Sequence, residues 1–147
     1  VSLTEANSTE WSIENVVTDA ISETDGKANL TAIQSIDGWE EKYPAFKWCD
    51  DYTDASDNSE WYLPAKDELN LLYEVKNYVN ATIDKIIAGG GTATKLKNSY
   101  LYYWSSSQGS YMGYDITNAA WVQRFEDGYQ DTGIKDVPYS VRAVRDF

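Results

Sequence analysis

The chain has 147 residues, 42% hydrophobic and 14% aromatic, which suits a single domain spanning 1–147 with its own core. A formal net charge of −12 repels phosphate backbones and anionic membrane surfaces, so nucleic acid is not an expected partner. With 0 His and 1 Cys, the chain can form neither a Ser-His-Asp triad nor an internal disulfide, and most zinc chemistry is closed to it.

The opening VSLTEA has no initiator Met and no signal peptide, so a removed leader or a fragment is expected. Thr24-Asp25-Gly26 signals a turn, and Leu30, Ile33 and Ile36 then recur at helical spacing. A second helix is predicted from Pro44, whose fixed φ suits a first helical position, presenting Phe46 or Ala45 with Trp48, Cys49 and Tyr52. Cys49 reads as a small buried hydrophobe, since a nucleophilic cysteine would want a histidine as base.

DDYTDASDNSE follows, with Asp50, Asp51, Asp54, Asp57 and Asn58 as hard oxygen ligands for calcium. The run lacks the EF-hand spacing and reads as a solvated acidic loop, so no metal or other cofactor is expected. WYLPAKDELNLLYEVKNYVNATIDKII is the clearest helical signal. Pro64 precedes Asp67 and Glu68 in the first turn, and Leu69, Leu72 and Tyr73 form one apolar face. Ile83, Ile86 and Ile87 continue in a second segment that AGGG ends, and Thr94 before Lys95 breaks the Walker pattern.

From Tyr100 the period changes to that of strands. LYYW, AAWVQRFE, YQDTGIK and SVRAVRDF are short aromatic and β-branched segments separated by turn formers. Trp121, Gln123 and Phe125 alternate with Val122 and Arg124, and Asp127-Gly128 marks a tight hairpin. Helices followed by an antiparallel sheet define an α+β fold class. There is no internal repeat.

WYLPAKDEL, YWSSS, AWVQRFEDG and the terminal K-x5-VRAVR, together with TDGKANL and YPAFKWCDDY, resemble bacterial C-type-lectin-like domains. More narrowly, they resemble the C-terminal domain of collagen-like bacterial adhesins, and the same fold includes the variable proteins of diversity-generating retroelements. The resemblance implies two main helices packed on a small twisted antiparallel sheet, no disulfides, neighbouring N- and C-terminal strands, and VSL as a strand truncated at its start. It implies a binding role at the bacterial cell surface or outside the cell, with no enzymatic activity. The paired cysteines and the EPN or QPD triplets of animal lectins are missing, so calcium-dependent sugar binding does not transfer. The two active-site cysteines of the formylglycine-generating relatives are missing as well.

SSSQGSYMGYDITN, Ser105 to Asn118, uses the Ser, Gly, Tyr and Asn of antibody paratopes and suits either recognition or an ordinary polar loop. The expected ligand-binding residues are Ser107, Gln108, Ser110, Tyr111, Tyr114, Asp115, Thr117 and Asn118, joined across the sheet by Gln123, Glu126, Asp127 and Tyr129. Ser105 and Ser106 support the loop; Trp104 and Trp121 are core, with sugar stacking as the sharper alternative. Arg142 and Arg145 either meet an anionic ligand or pair with the excess carboxylates, and Arg124 would belong to any basic patch for sulfated polymers. No catalytic residue is expected; a glycosidase alternative would need two acids such as Asp115 and Glu126, but acids are abundant and nothing marks this pair. The expected partner is an unknown protein or glycan held by a monomeric domain without membrane insertion; a glycosaminoglycan-binding adhesin domain and a fimbrial or assembly subunit are the alternatives. Ser, Gly, Tyr, Asp, Ile, Thr and Asn are reachable by changing the adenines of an asparagine codon, which fits retroelement diversification, although Gln108 and Met112 do not.

Overall fold

A computed structural model of the chain describes residues 1–54 and 60–146. Asp57 and Asn58 of the acidic run lie outside the described residues. Among those described, one strand is followed by five helices and then four strands, a segregated α+β order, without a disulfide.

Strand β1 is Ala6–Thr9, so the predicted VSL strand is displaced; Ser2 N–H instead donates to the Ala143 carbonyl at 2.8 Å. Helix α1, Gly26–Gln34, is capped by Asp25, whose carboxylate accepts from Ala28 N–H at 2.9 Å, and it buries Leu30 and Ile33. Helix α2, Trp39–Lys42, is a single turn, too short to carry a readable period. Helix α3, Pro44–Asp50, starts on its proline as expected and buries Ala45, Phe46 and Cys49; burial raises the Cys49 thiol pKa. Helix α4, Lys66–Glu74, begins two residues beyond Pro64, whose carbonyl accepts from Ser106 N–H at 2.7 Å. Glu68 accepts from Ala65 N–H at 2.7 Å and Gly26 N–H at 3.0 Å, so one carboxylate ties the starts of α4 and α1 together. Helix α5, Lys76–Ala88, stops at the glycine run.

The other strands are β2 (Tyr102–Tyr111), β3 (Tyr114–Arg124), β4 (Gln130–Ile134) and β5 (Tyr139–Val141), in the spatial order β1-β5-β2-β3-β4. The sheet is mixed, not purely antiparallel as expected: β5 lies parallel to β2, with Tyr103 opposite Ser140. The chain must cross over between β4 and β5, and a crossover of this kind can return a strand parallel. β1 pairs with β5, so the N- and C-terminal strands are neighbours.

Two aromatic clusters hold the layers together. Trp11 packs edge-on against Tyr43 and Phe46, with ring centroids 5.8 and 5.1 Å away, and joins Trp104 in the larger core. Leu69, Leu72, Leu96, Tyr103 and Phe125 form the second, between α4 and the sheet. Trp104 is fully buried, its indole N–H donating to the Thr9 carbonyl at 2.8 Å, as the core assignment required.

Candidate functional site

The expected loop from Ser105 to Asn118 is instead a β-hairpin whose strands run almost to the tip. Tyr111 pairs with Tyr114, and φ is +50° at Met112 and +81° at Gly113, the double positive φ of a two-residue I′-type turn. At the tip, Tyr111, Met112 and Tyr114 are 71%, 80% and 79% exposed. Ser110 is partly buried, and Asp115, Thr117 and Asn118 are exposed.

The base of the hairpin is closed to solvent. Ser105, Ser106, Ser107 and Gln108 are all buried, which corrects the placement of Ser107 and Gln108 at the contact surface. Ser107 Oγ donates to the Ser22 carbonyl at 2.7 Å and accepts from Lys66 N–H at 3.0 Å. Ser106 Oγ accepts from the Asn29 amide at 2.9 Å, while Ser105 Oγ donates to the Trp121 carbonyl at the same distance. These serines hold α1 and α4 against the sheet.

Gln108 answers a break in the strand ladder. Gln108 stands opposite Ala120 and Ser110 opposite Asp115, so β3 carries extra residues around Ile116 to Asn118. The Gln108 amide fills this bulge, donating to the Ile116 carbonyl at 2.6 Å and the Ala119 carbonyl at 3.1 Å. Its Oε1 accepts from Thr18 N–H at 3.1 Å and Lys135 Nζ at 2.8 Å. Lys135 is itself buried, donates also to the Val16 carbonyl at 2.6 Å, and lies 4.6 Å from the Trp11 ring centroid. Burial pulls its ammonium down to about 8, with the Asp115 carboxylate pushing the other way.

Lys135 therefore fastens three pieces together: the segment from Trp11 to Ala20, the hairpin and the end of β4. Its own carbonyl accepts from Trp11 N–H at 2.9 Å and Ser12 N–H at 3.2 Å, and its N–H donates to Asn118 at 2.9 Å. Sequence reasoning placed Lys135 in the K-x5-VRAVR motif without a role and missed the Ile13–Ile21 segment. The available signal was Ile13, Val16, Val17 and Ile21 at i, i+3, i+4 and i+8, the spacing of an apolar helix face, although the segment forms no helix and leaves all four exposed.

The remaining predicted contacts lie elsewhere. β3 separates Asp115 at the tip from the turn at Glu126 by on the order of 25 Å, given strand rise and the bulge. Asp115 and Glu126 therefore cannot flank one glycosidic bond, and the expected single surface divides in two. At the far turn Asp127 pairs with Arg124 at 2.5 Å, which lowers the Asp127 pKa, and Arg124 lies over the Tyr129 ring at 5.4 Å. Glu126 and Tyr129 are exposed there, but Gln123 is buried, its amide donating to Asn70 Oδ1 at 2.8 Å and the Gly128 carbonyl at 3.1 Å. Gln123 thus serves the packing of α4 against the turn.

Trp121 is half-buried, with Lys66 Nζ 4.1 Å from its ring centroid. Arg142 is fully buried and pairs with Glu5 at 3.4 Å, a carboxylate that also receives Lys97 Nζ at 2.6 Å and the Tyr103 hydroxyl at 2.5 Å. Of the two roles open to Arg142, carboxylate pairing is the one realised. Arg145 approaches Asp54 at 4.0 Å and stacks over Trp61 at 4.9 Å.

The hairpin end is a projecting face, not a pocket. Among the described residues, three concave regions lie away from it: a cleft of about 430 Å³ bounded by residues including Lys27, Gln34, Asp50 and Trp61, an apolar groove between Val1 and α5, and a hollow bounded by residues including Tyr62, Leu72 and Val144. No group of three or more His, Cys, Asp or Glu able to hold a metal ion assembles among the described residues. No described helix is long and apolar enough to cross a membrane.

Fold and site together define an α+β domain whose buried polar scaffold projects an aromatic hairpin. The chain belongs to the Lcl C-terminal domain family, whose model matches residues 5–145, consistent with the C-type-lectin-like resemblance carried by its motifs. No curated protein matches it.

Proposed function

We propose that this chain is a non-enzymatic C-type-lectin-like module, displayed on a bacterial surface or secreted, that binds a protein or glycan ligand through the β2–β3 hairpin end. The observation that carries the reading is the contrast within one hairpin: Tyr111, Met112 and Tyr114 project into solvent while Ser105 to Gln108 are locked inside. Tyr and Met side chains supply large contact areas, and a rigid base limits the entropy lost on binding. Asp115, Thr117 and Asn118 add polar contacts on the same end. Glu126, Asp127 and Tyr129 form a separate surface, outside this proposed site.

Retroelement diversification is a subsidiary proposal, and exposed hairpin positions are where varied side chains would leave the scaffold undisturbed. Its test is genomic: a template repeat and reverse transcriptase adjacent to the coding sequence would support it, and their absence would remove it. The binding proposal is tested on combined glycan and protein arrays with wild type, Tyr111→Ala/Tyr114→Ala and Tyr129→Ala. Loss confined to the double variant is expected. Wild-type binding by the double variant would move the site away from the hairpin.

A further inference from the structure

Ile13, Val16, Val17 and Ile21 are exposed aliphatic residues on a segment without regular secondary structure. Yet the segment is not loosely attached. Lys135 and Gln108 bind its backbone at Val16 and Thr18, and the Ala20 carbonyl accepts from Gln108 N–H at 2.7 Å. This places Val16 to Ile21 beside the hairpin, and Ile134, half-exposed on β4 opposite Ala119, lies at the same end. Hydrophobic side chains scattered singly need no explanation, but aliphatic residues pinned at the base of a hairpin whose tip exposes Tyr111, Met112 and Tyr114 can join that tip in one interaction patch.

Charge decides what such a patch fits. Asp19, Asp115 and Asp136 are exposed around it, while Lys135, the lysine at this end, is buried with its ammonium turned to internal carbonyl oxygens. A sulfated polysaccharide would meet carboxylates and bare aliphatic groups. A protein surface with an apolar centre and a Lys- or Arg-rich rim would match both features.

Resting on the hairpin reading above, we infer that the Val16–Ile21 segment forms the second half of the binding face, and that the face takes a protein partner with an apolar centre and a basic rim. The hairpin contributes aromatic anchors, the segment an aliphatic bed, and the acidic border steers the partner's cations.

The test uses a basic amphipathic Lys/Leu peptide as probe, with its Glu/Leu counterpart and heparin as comparisons, followed by backbone amide NMR of the whole domain. The Lys/Leu peptide should shift amides at Val16–Ile21 and Tyr111–Asn118, and it alone of the three should bind. Val17→Ser/Ile21→Ser should weaken it about tenfold, the loss expected when an apolar anchor pair leaves an interface centre. The fold of this variant is checked by its unshifted core amides. Loss of binding in Tyr111→Ala/Tyr114→Ala but not in Val17→Ser/Ile21→Ser would overturn the inference and leave the hairpin reading standing. Shifts confined to the α5 groove would overturn both. Heparin binding at the hairpin, or a concentration-dependent dimer that buries the patch in light scattering, would replace the proposed partner with a glycan or a second copy.

Discussion

Replacing Lys135 by Met tests the buried fastening under the hairpin. The substitution keeps the length of the stem and removes the ammonium. In the folded chain burial takes the Lys135 pKa from 10.5 to about 8. Below pH 8 the lysine is protonated in both folded and unfolded chains, and the full cost of burying the charge is present. Between the two pKa values the unfolded chain keeps a proton that the folded chain has released, so stability rises with pH. From pH 7 to pH 9.5 the gain amounts to about 2 kcal/mol. The Val16 carbonyl left without its donor costs the variant about 1–3 kcal/mol, but equally at both pH values. The range stops short of pH 10 because burial raises the pKa of Tyr43, Tyr62, Tyr103 and Tyr139, so their ionisation in the unfolded chain pulls stability down at higher pH. Urea unfolding of both proteins at the two pH values measures the difference. Wild type should gain about 2 kcal/mol on the variant across the interval; parallel pH profiles would refute a depressed, buried lysine.

Other substitutions probe the surrounding architecture. Glu5→Gln leaves the fully buried Arg142 and the partly buried Lys97 without their shared counter-charge and should cost about 3–5 kcal/mol in chemical denaturation. Met112→Asn places a residue tolerant of positive φ in the hairpin turn and should stabilise the fold by about 0.5–1 kcal/mol, read as a raised melting temperature. Gly128→Ala puts a methyl at φ +80° and within 2.5 Å of the Tyr73 ring, so a loss of about 1–3 kcal/mol is expected; an unchanged melting temperature would show that the turn can move.

Much of the scaffold was legible because its signals are local. Pro44 opening α3, the glycines ending α5, the aromatic and β-branched residues of β3 and the Asp-Gly turn each act within a few residues, where propensity speaks directly. Helix α2 has too few residues to show a period, and the parallel β2–β5 pair depends on where a distant segment returns. The paratope-like composition of Ser105 to Asn118 pointed to the hairpin, but could not tell Ser107 from Ser110. Their difference lies in Ser22 and Lys66, which approach from far along the chain.

Composition, motif order and turn chemistry by themselves determined an α+β domain with a tyrosine-rich candidate binding region. Tertiary structure alone decided which polar residues face water. Gln108 and Gln123 are ordinary surface vocabulary in sequence, yet each lies buried because it answers backbone carbonyls: a strand bulge for Gln108, a turn for Gln123. The same requirement draws Lys135 inside and seats the Val16–Ile21 segment beside the hairpin. Burial is a property of long-range packing and hydrogen-bond closure, and no local pattern of residue types contains it.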